Sequence, residues 1–233
     1  VFPAPLRARL TDYLGRISPT KKSCPSFLFN QDQELGLKEK MKLLIYAPIR
    51  WLNAETEYIL ILSQRLAEAG IEIVIMGSPK NPVLEEAKKA GLRTEDRFDL
   101  LTLNPLKIAG LLPRLWKWLK QERFELVDIH RSEGFVILSS VARTLNPRPA
   151  LIRTRQDMRP ARTDPINRWT YRSMDIIIAS NQLLAEDLIA RLKLDPAKVR
   201  VIYFGVNPQD FKPTKSSEEI RKELGIAPDR RLI

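Results

Sequence analysis

Apolar and polar positions change their rhythm at residue 41. Upstream, residues 1–40 carry Pro3, Pro5, Pro19 and Pro25, one short helical pattern (Leu6, Leu10, Leu14, Ile17), and a polar stretch from Asn30 to Lys40. This segment is expected to be an extension, either poorly packed or upstream of a true start at Met41. From Met41 the run MKLLIYA reads as a strand buried on both faces. A helix is predicted from Ala54 to Ala69, with Ile59, Leu62, Leu66 and Ala69 on one face and Gly70 at a left-handed C-terminal position. Ile71 to Met76 follows as a strand, Val83 to Ala90 as a helix ending at Gly91, and Leu92 to Glu95 as a short strand. Pro105 to Arg123 reads as helix interrupted by Pro113, Glu125 to Ile129 as strand, and Phe135, Leu138, Ala142 and Leu145 as a helical stripe. Ala150 to Thr154 is a predicted strand. Asp164-Pro165 supplies an N-cap and a first-turn proline for the next helix. Asp175 to Ala179 and Val199 to Tyr203 are strands flanking a helix that Ser180 caps and that runs to Leu192.

Strands alternating with helices predict an α/β domain built on a doubly wound, Rossmann-like parallel sheet spanning 41–205, with 206–233 leading out of it. Ligands of such sheets lie beyond the carboxyl ends of the strands. The segments of interest are therefore those following Ala47, Met76, Ile129, Thr154, Ala179 and Tyr203.

Composition narrows the partners. The formal net charge is +11 and 44% of residues are hydrophobic, so a basic, globular chain with phosphate-bearing partners is expected. The basic residues are scattered, which equally suits a solvated surface. No apolar run approaches the about 20 residues of a membrane span. The lone Cys24 cannot form an internal disulfide, and no secretory apolar segment is evident, so a cytoplasmic location is expected. One Cys and one His supply few metal ligands, so no metal is expected; no other cofactor is expected either.

His130, the single histidine, follows the strand at Ile129 and precedes Arg131-Ser132-Glu133-Gly134, with a helix expected from about Ser132 whose free N–H groups would face the same crevice. It is either a functional group facing a cleft or a structural histidine at the sheet edge. Arg155 and Asp157 end the neighbouring strand. Their charges would be costly inside the sheet, so they are expected to project from its top, where they either hold a substrate's hydroxyls or phosphate or form an ordinary surface ion pair. The turn PIRWLNAE after the first strand lacks a G-x-G-x-x-G, which argues against a dinucleotide dehydrogenase. LKIAGLLPRLWKWLK places Trp116 and Trp118 beside Lys107, Arg114, Lys117 and Lys120, a pattern for an anionic membrane surface or for a core-packing helix with a solvated face.

Three stretches together resemble the N-terminal domain of GT-B glycosyltransferases of family 4 (group 1). They are LVDIHRSEGFVILSSVAR, then PALIRTRQD with NRWTYRSMDIIIASNQLLAEDLI, and finally VRVIYFGVNPQDFKP with Gly205, Val206, Asn207, Phe211 and Pro213. They occur in order between Met41 and Pro213. Two positions depart from the family: Asn53-Ala54 stand where Gly-Gly is common, and Asn207 stands in place of Asp.

The resemblance implies the acceptor-side half of a two-domain GT-B enzyme, truncated at Arg231-Leu232-Ile233 as a second domain begins and inactive alone. The whole enzyme would be a retaining, hexosyltransferase-like transferase. It would move a sugar from a nucleotide-sugar donor, a substrate and not a cofactor, to a hydroxyl of a glycolipid, lipopolysaccharide or polysaccharide acceptor. The implied catalytic residue is His130, and the implied substrate-binding residues are Arg131, Glu133, Arg155, Asp157 and Asn53. The implied setting is the inner face of the cytoplasmic membrane, with an anionic membrane surface as a further partner and no nucleic acid. The rival reading is a non-catalytic basic α/β module that binds anionic lipid or nucleic acid.

Overall fold

The computed structural model of the chain describes residues 41–79, 81–102, 104–205, 215–227 and 230. The expected extension at 1–40 and the positions Asn207, Phe211 and Pro213 lie outside these residues. Those described fall into two units, one ending at Tyr203 and the other beginning at Phe204.

The first unit opens with β1 (Lys42–Tyr46), α1 (Ala54–Glu68), β2 (Glu72–Met76), α2 (Pro82–Lys89) and β3 (Arg93–Glu95). It continues through α3 (Pro105–Glu122), β4 (Leu126–Ile129), α4 (Phe135–Arg143) and β5 (Ala150–Arg155). It closes with α5 (Pro165–Arg172), β6 (Ile176–Ala179), α6 (Gln182–Leu192) and β7 (Val199–Val201). All described strand pairs are parallel, in the order β3-β2-β1-β4-β5-β6-β7. This is the doubly wound, Rossmann-like sheet that the alternating pattern predicts. The second unit contains α7 (Ser217–Glu223), opened by a reciprocal capping box between Ser216 and Glu219.

Strand alternation builds two cores. Leu43 and Ile45 of β1 join Ile73, Ile75 and the Ile59, Leu62 and Leu66 stripe of α1 on one face. Leu44 and Tyr46 join Val127, Ile129, Trp118, Phe135, Leu138 and Leu188 on the other, beneath α3, α4 and α6. Each such side chain contributes about 1.5–3 kcal/mol when fully buried, so a sheet covered on both faces is the only arrangement that uses both sets.

Helix starts follow local chemistry. Asn53, Asn81, Asn104, Asp164 and Asn181 each accept a first-turn amide proton with a side-chain oxygen. Asn81 does more: its Nδ2 donates to the Ala47 carbonyl at 2.7 Å, tying the exit of β1 to the start of α2.

Three local expectations are corrected. Pro113 does not interrupt its helix, and α3 runs unbroken for 18 residues. Both Pro113 and Ala109 are exposed, so water can satisfy the carbonyl that the missing N–H would have paired. Asn181, not Ser180, caps α6. The helix after β4 begins at Phe135, because Gly134 stands before it in the left-handed region (φ 72°) and ends the non-helical turn there.

Candidate functional site

β1 and β4 lie side by side, but the chain leaves β1 toward β2 and leaves β4 toward β5, so a crevice opens between their carboxyl ends. Register places Tyr46 level with Ile129, and Ile129 level with Arg153. β5 therefore extends two residues beyond the last paired residue of β4, and the turn after β4 meets the projecting end of β5.

A cavity of about 230 Å³ occupies this junction. Its lining includes His130, Arg131, Glu133, Arg155 and Asp157, so the structure brings together five of the six predicted site residues. Asn53 stands apart. It is absent from that lining, and its Oδ1 accepts the Thr56 amide at 3.0 Å as the cap of α1.

His130 lines the cavity, but its side chain is packed into the sheet and does not stand open in the cleft. Its backbone N–H continues the ladder by donating to the Tyr46 carbonyl at 3.0 Å, while its side chain is fully covered. The imidazole lies on the α1 face of the sheet with two other buried polar groups, Asp128 and Thr154. Thr154 Oγ1 donates to Asp128 Oδ1 at 2.8 Å. His130 Nε2 is 3.3 Å from Asp128 Oδ2 but not aligned for a hydrogen bond, and neither ring nitrogen has one among the described residues. The Tyr58 ring of α1 stands 6.1 Å away. Burial, reinforced by the Asp128 charge, pushes the Tyr58 phenol well above its ordinary pKa.

Arg155 is also corrected. It does not project into solvent; it is 6% exposed. Its Nε donates to the Asp157 carbonyl at 3.2 Å, one terminal nitrogen to Tyr171 Oη at 3.1 Å, and the other to the Arg159 carbonyl. Fixed oxygen acceptors replace water around the guanidinium, which is why the charge is tolerated below the rim. Nor does it pair with Asp157, whose carboxylate takes the Arg159 amide at 2.9 Å and the Arg159 Nε at 2.8 Å. Partial burial would raise the Asp157 pKa, but its bonds to Arg159 outweigh that and hold it below the usual value.

Arg131 reaches Glu55 of α1 at 3.0 Å and Glu133 at 3.4 Å. Burial alone would depress its pKa, and the two carboxylates reverse the shift.

The sequence marks the stretch Arg153-Thr154-Arg155-Gln156-Asp157 but assigns no role to Arg153 or Gln156, and it gives no hint of Tyr171 or Glu55. Arg153 had a visible signal, a charge inside the apolar strand ALIRTR. It is 2% exposed, donates through one terminal nitrogen to the Ile129 and Thr154 carbonyls at 2.7 Å each, and lies 5.2 Å from the Phe135 ring centre. Tyr171 arrives from α5 and could be found only in three dimensions. Burial raises its pKa, and the adjacent Arg153 and Arg155 more than cancel that, leaving it lowered. Among the described residues no cluster of three metal-ligating side chains occurs.

The sequence profile of Glycosyltransferase Family 4 matches residues 56–210, which include every strand end around this cavity except that of β1. The chain belongs to Glycosyltransferase Family 4. No curated protein matches it by sequence. Among solved structures it is similar to a glycosyltransferase from Rickettsia africae ESF-5 at 18% identity and TM-score 0.63, over 82% of this chain and 51% of that one. It is also similar to HepE from Anabaena, solved with UDP and glucose, at 14% identity and TM-score 0.61, over 79% and 50%. The lipopolysaccharide outer core galactosyltransferase WaaB matches at 14% identity and TM-score 0.56, over 72% and 46%. At these identities the likeness is one of fold, and the chain spans about half the length of these proteins.

Proposed function

We propose that the chain is the acceptor-side half of a retaining glycosyltransferase, which moves a sugar from a nucleotide-sugar donor to a hydroxyl of a glycolipid, lipopolysaccharide or polysaccharide. The observation that carries this reading is the polar cavity at the β4 and β5 strand ends of a Glycosyltransferase Family 4 chain, beside the crevice where such sheets take ligands. The HepE structure holding UDP and glucose, and the lipopolysaccharide role of WaaB, support the kind of donor and acceptor.

On this reading a second domain brings the donor, and the strand ends described here present the acceptor. Substrate-binding roles fall to Arg131, Glu133, Arg155 and Asp157, which line the cavity, and Asn53 serves through the α1 turn that it caps. His130 is the candidate catalytic residue. Two buried ring nitrogens without hydrogen bonds suit a group whose partner arrives with substrate and whose part is to orient that substrate. No metal or other cofactor is required for these roles.

The surface of α3 extends the proposal to a peripheral site on the inner face of the cytoplasmic membrane. Leu106 is 83% exposed, and Leu112 and Trp116 are also exposed, beside exposed Lys107, Arg114, Lys117 and Lys120. Exposed apolar side chains interspersed with lysine and arginine suit anionic headgroups. No described helix is long and apolar enough to cross a membrane.

The test is sugar transfer by the full-length protein across a panel of nucleotide sugars, followed by nucleotide release, with product anomers read by NMR. Retention of configuration is the expected result, and the 233 residues alone should be inactive because positioning both substrates is a large part of the rate. Inverted product, or equal activity from the shorter chain, would overturn the proposal.

A further inference from the structure

The cavity between the ends of β4 and β5 has an unbalanced lining. Five arginines (131, 153, 155, 159 and 162) face it against two carboxylates, Glu133 and Asp157. Both carboxylates are engaged, Glu133 by Arg131 and Asp157 by Arg159. The two most deeply buried arginines, Arg153 and Arg155, have no carboxylate within 4.0 Å among the described residues. Their hydrogen bonds go to backbone carbonyls, a phenol and a serine hydroxyl, so neither has a carboxylate in contact, and Arg155 feels only the more distant charge of Asp157, itself bound to Arg159. A buried guanidinium without a contacting counter-ion is destabilising unless something neutralises it.

A second, independent feature points the same way. Among the described residues Arg131 Nε, Arg153 Nε and Gln156 Nε2 are buried without a hydrogen-bond partner, and all three residues line this cavity. Arg and Lys nitrogens only donate, and so does an amide NH2, so the missing partner must bring acceptors. A neutral sugar hydroxyl would supply one acceptor and demand one in return. An oxyanion supplies several acceptors and a negative charge, which answers both deficits at once. At about 230 Å³ the space is several times the roughly 30 Å³ share of one water, enough for an oxyanion and the atoms attached to it.

We infer that this cavity is an oxyanion subsite that takes a phosphate or carboxylate group carried by the acceptor, held by Arg153, Arg155, Arg131 and Gln156. Its assignment to the acceptor rests on the glycosyltransferase reading above; the binding of an oxyanion does not. The acceptor is then an anionic glycan or glycolipid, and the family's transfer chemistry operates beside a charge clamp that rejects neutral analogues.

The test is titration of the full-length protein by calorimetry with inorganic phosphate and separately with glucuronate, each against sodium chloride of equal ionic strength. One oxyanion per chain is expected, and whichever ligand binds more tightly tells phosphate from carboxylate. Arg153→Met should weaken binding at least tenfold. Because Arg153 also holds two carbonyls, Gln156→Leu is the companion variant: its Nε2 has no partner to lose, so it should fold normally and still weaken binding several-fold. No heat above the chloride control, or unchanged binding in folded Gln156→Leu, would overturn the subsite. Transfer to a neutral acceptor without oxyanion binding would sink the subsite and leave the glycosyltransferase reading standing. Oxyanion binding without sugar transfer would do the reverse.

Discussion

Gly134 and Tyr46 meet so closely that a β-carbon on the glycine would stand 2.4 Å from the phenol oxygen and 2.6 Å from Leu100 Cβ. The backbone of the turn after β4 is thus pressed onto the end of β1. Gly134 is also left-handed at φ 72°, where a β-carbon alone costs about 1–2 kcal/mol. Gly134→Ala should lower stability by about 2 kcal/mol or more in chemical denaturation. Among the described residues the buried Tyr46 hydroxyl has no hydrogen-bond partner, so Tyr46→Phe alone should be neutral or stabilising. Combined with Gly134→Ala it should recover part of the loss, the remainder belonging to Leu100. Additive effects in the double-mutant cycle would disprove the contact.

Thr154 and Asp128 share a buried hydrogen bond at 2.8 Å directly beneath the imidazole of His130. Thr154→Val keeps the side-chain shape and withdraws a donor from a buried carboxylate oxygen, which should cost about 1–3 kcal/mol. Thr154→Ser, which keeps the hydroxyl, should cost less in the same unfolding experiment. A valine variant as stable as the parent would show that this bond contributes nothing.

Glu122 at the end of α3 accepts from Arg93 at 3.1 Å and is also bridged to Lys42. Burial raises its pKa, but the bonds to Arg93 and Lys42 win, so the folded value lies below the ordinary 4.5. A depressed carboxylate contributes stability that is fully present above the unfolded value and disappears as pH falls through the folded one. The advantage of the parent protein over Glu122→Gln should therefore hold at neutral pH and shrink below about pH 4.5. Melting curves across that range check it, and a gap independent of pH would reject the assignment.

The features legible along the chain are those decided by neighbours in sequence. Strand alternation foretells the sheet, and Asp164-Pro165, Gly70 and Gly91 mark the helix ends that the backbone shows. Pro113 misleads because its penalty depends on which side of the helix faces water, a tertiary fact. Ser180 and Asn181 are adjacent and both able to cap, and only the backbone decides between them. The site is legible as a place and not as a geometry. Strand ends identify His130, Arg131, Glu133, Arg155 and Asp157, but the burial of Arg155 depends on Tyr171 from another helix and on the turn at Arg159. Such acceptors leave no mark near residue 155.

The exposed strip of α3 should behave as a membrane-facing surface. Vesicle binding should require anionic lipid and weaken with added salt, at about 1 kcal/mol for each lysine or arginine near the surface. Leu106→Asp should reduce binding without changing stability, since that side chain is almost fully exposed. Equal affinity for neutral vesicles would reject this surface, and tighter salt-sensitive binding to nucleic acid would favour the non-catalytic rival.

His130→Ala combines two effects that one measurement would confuse. The side chain is wholly covered and packed among Asp128, Tyr58 and the sheet, so its removal leaves a cavity and should lower the melting temperature. A stability loss is therefore expected whether or not the residue serves the reaction. The proposal concerns turnover per folded molecule in the full-length enzyme, measured at a temperature where the variant remains folded by circular dichroism. If the ring orients substrate through its ring nitrogens, turnover should fall and KM should rise, with the pH profile unchanged. A general acid or base would instead be worth about 10²–10⁴-fold, and its loss would remove one limb of that profile. His130→Gln, which keeps a polar group of similar reach, should restore more activity than stability if orientation is the role. Turnover per folded molecule equal to the parent, alongside a lowered melting temperature, would make His130 a structural residue and move the proposed chemistry to the arginine-lined cavity alone.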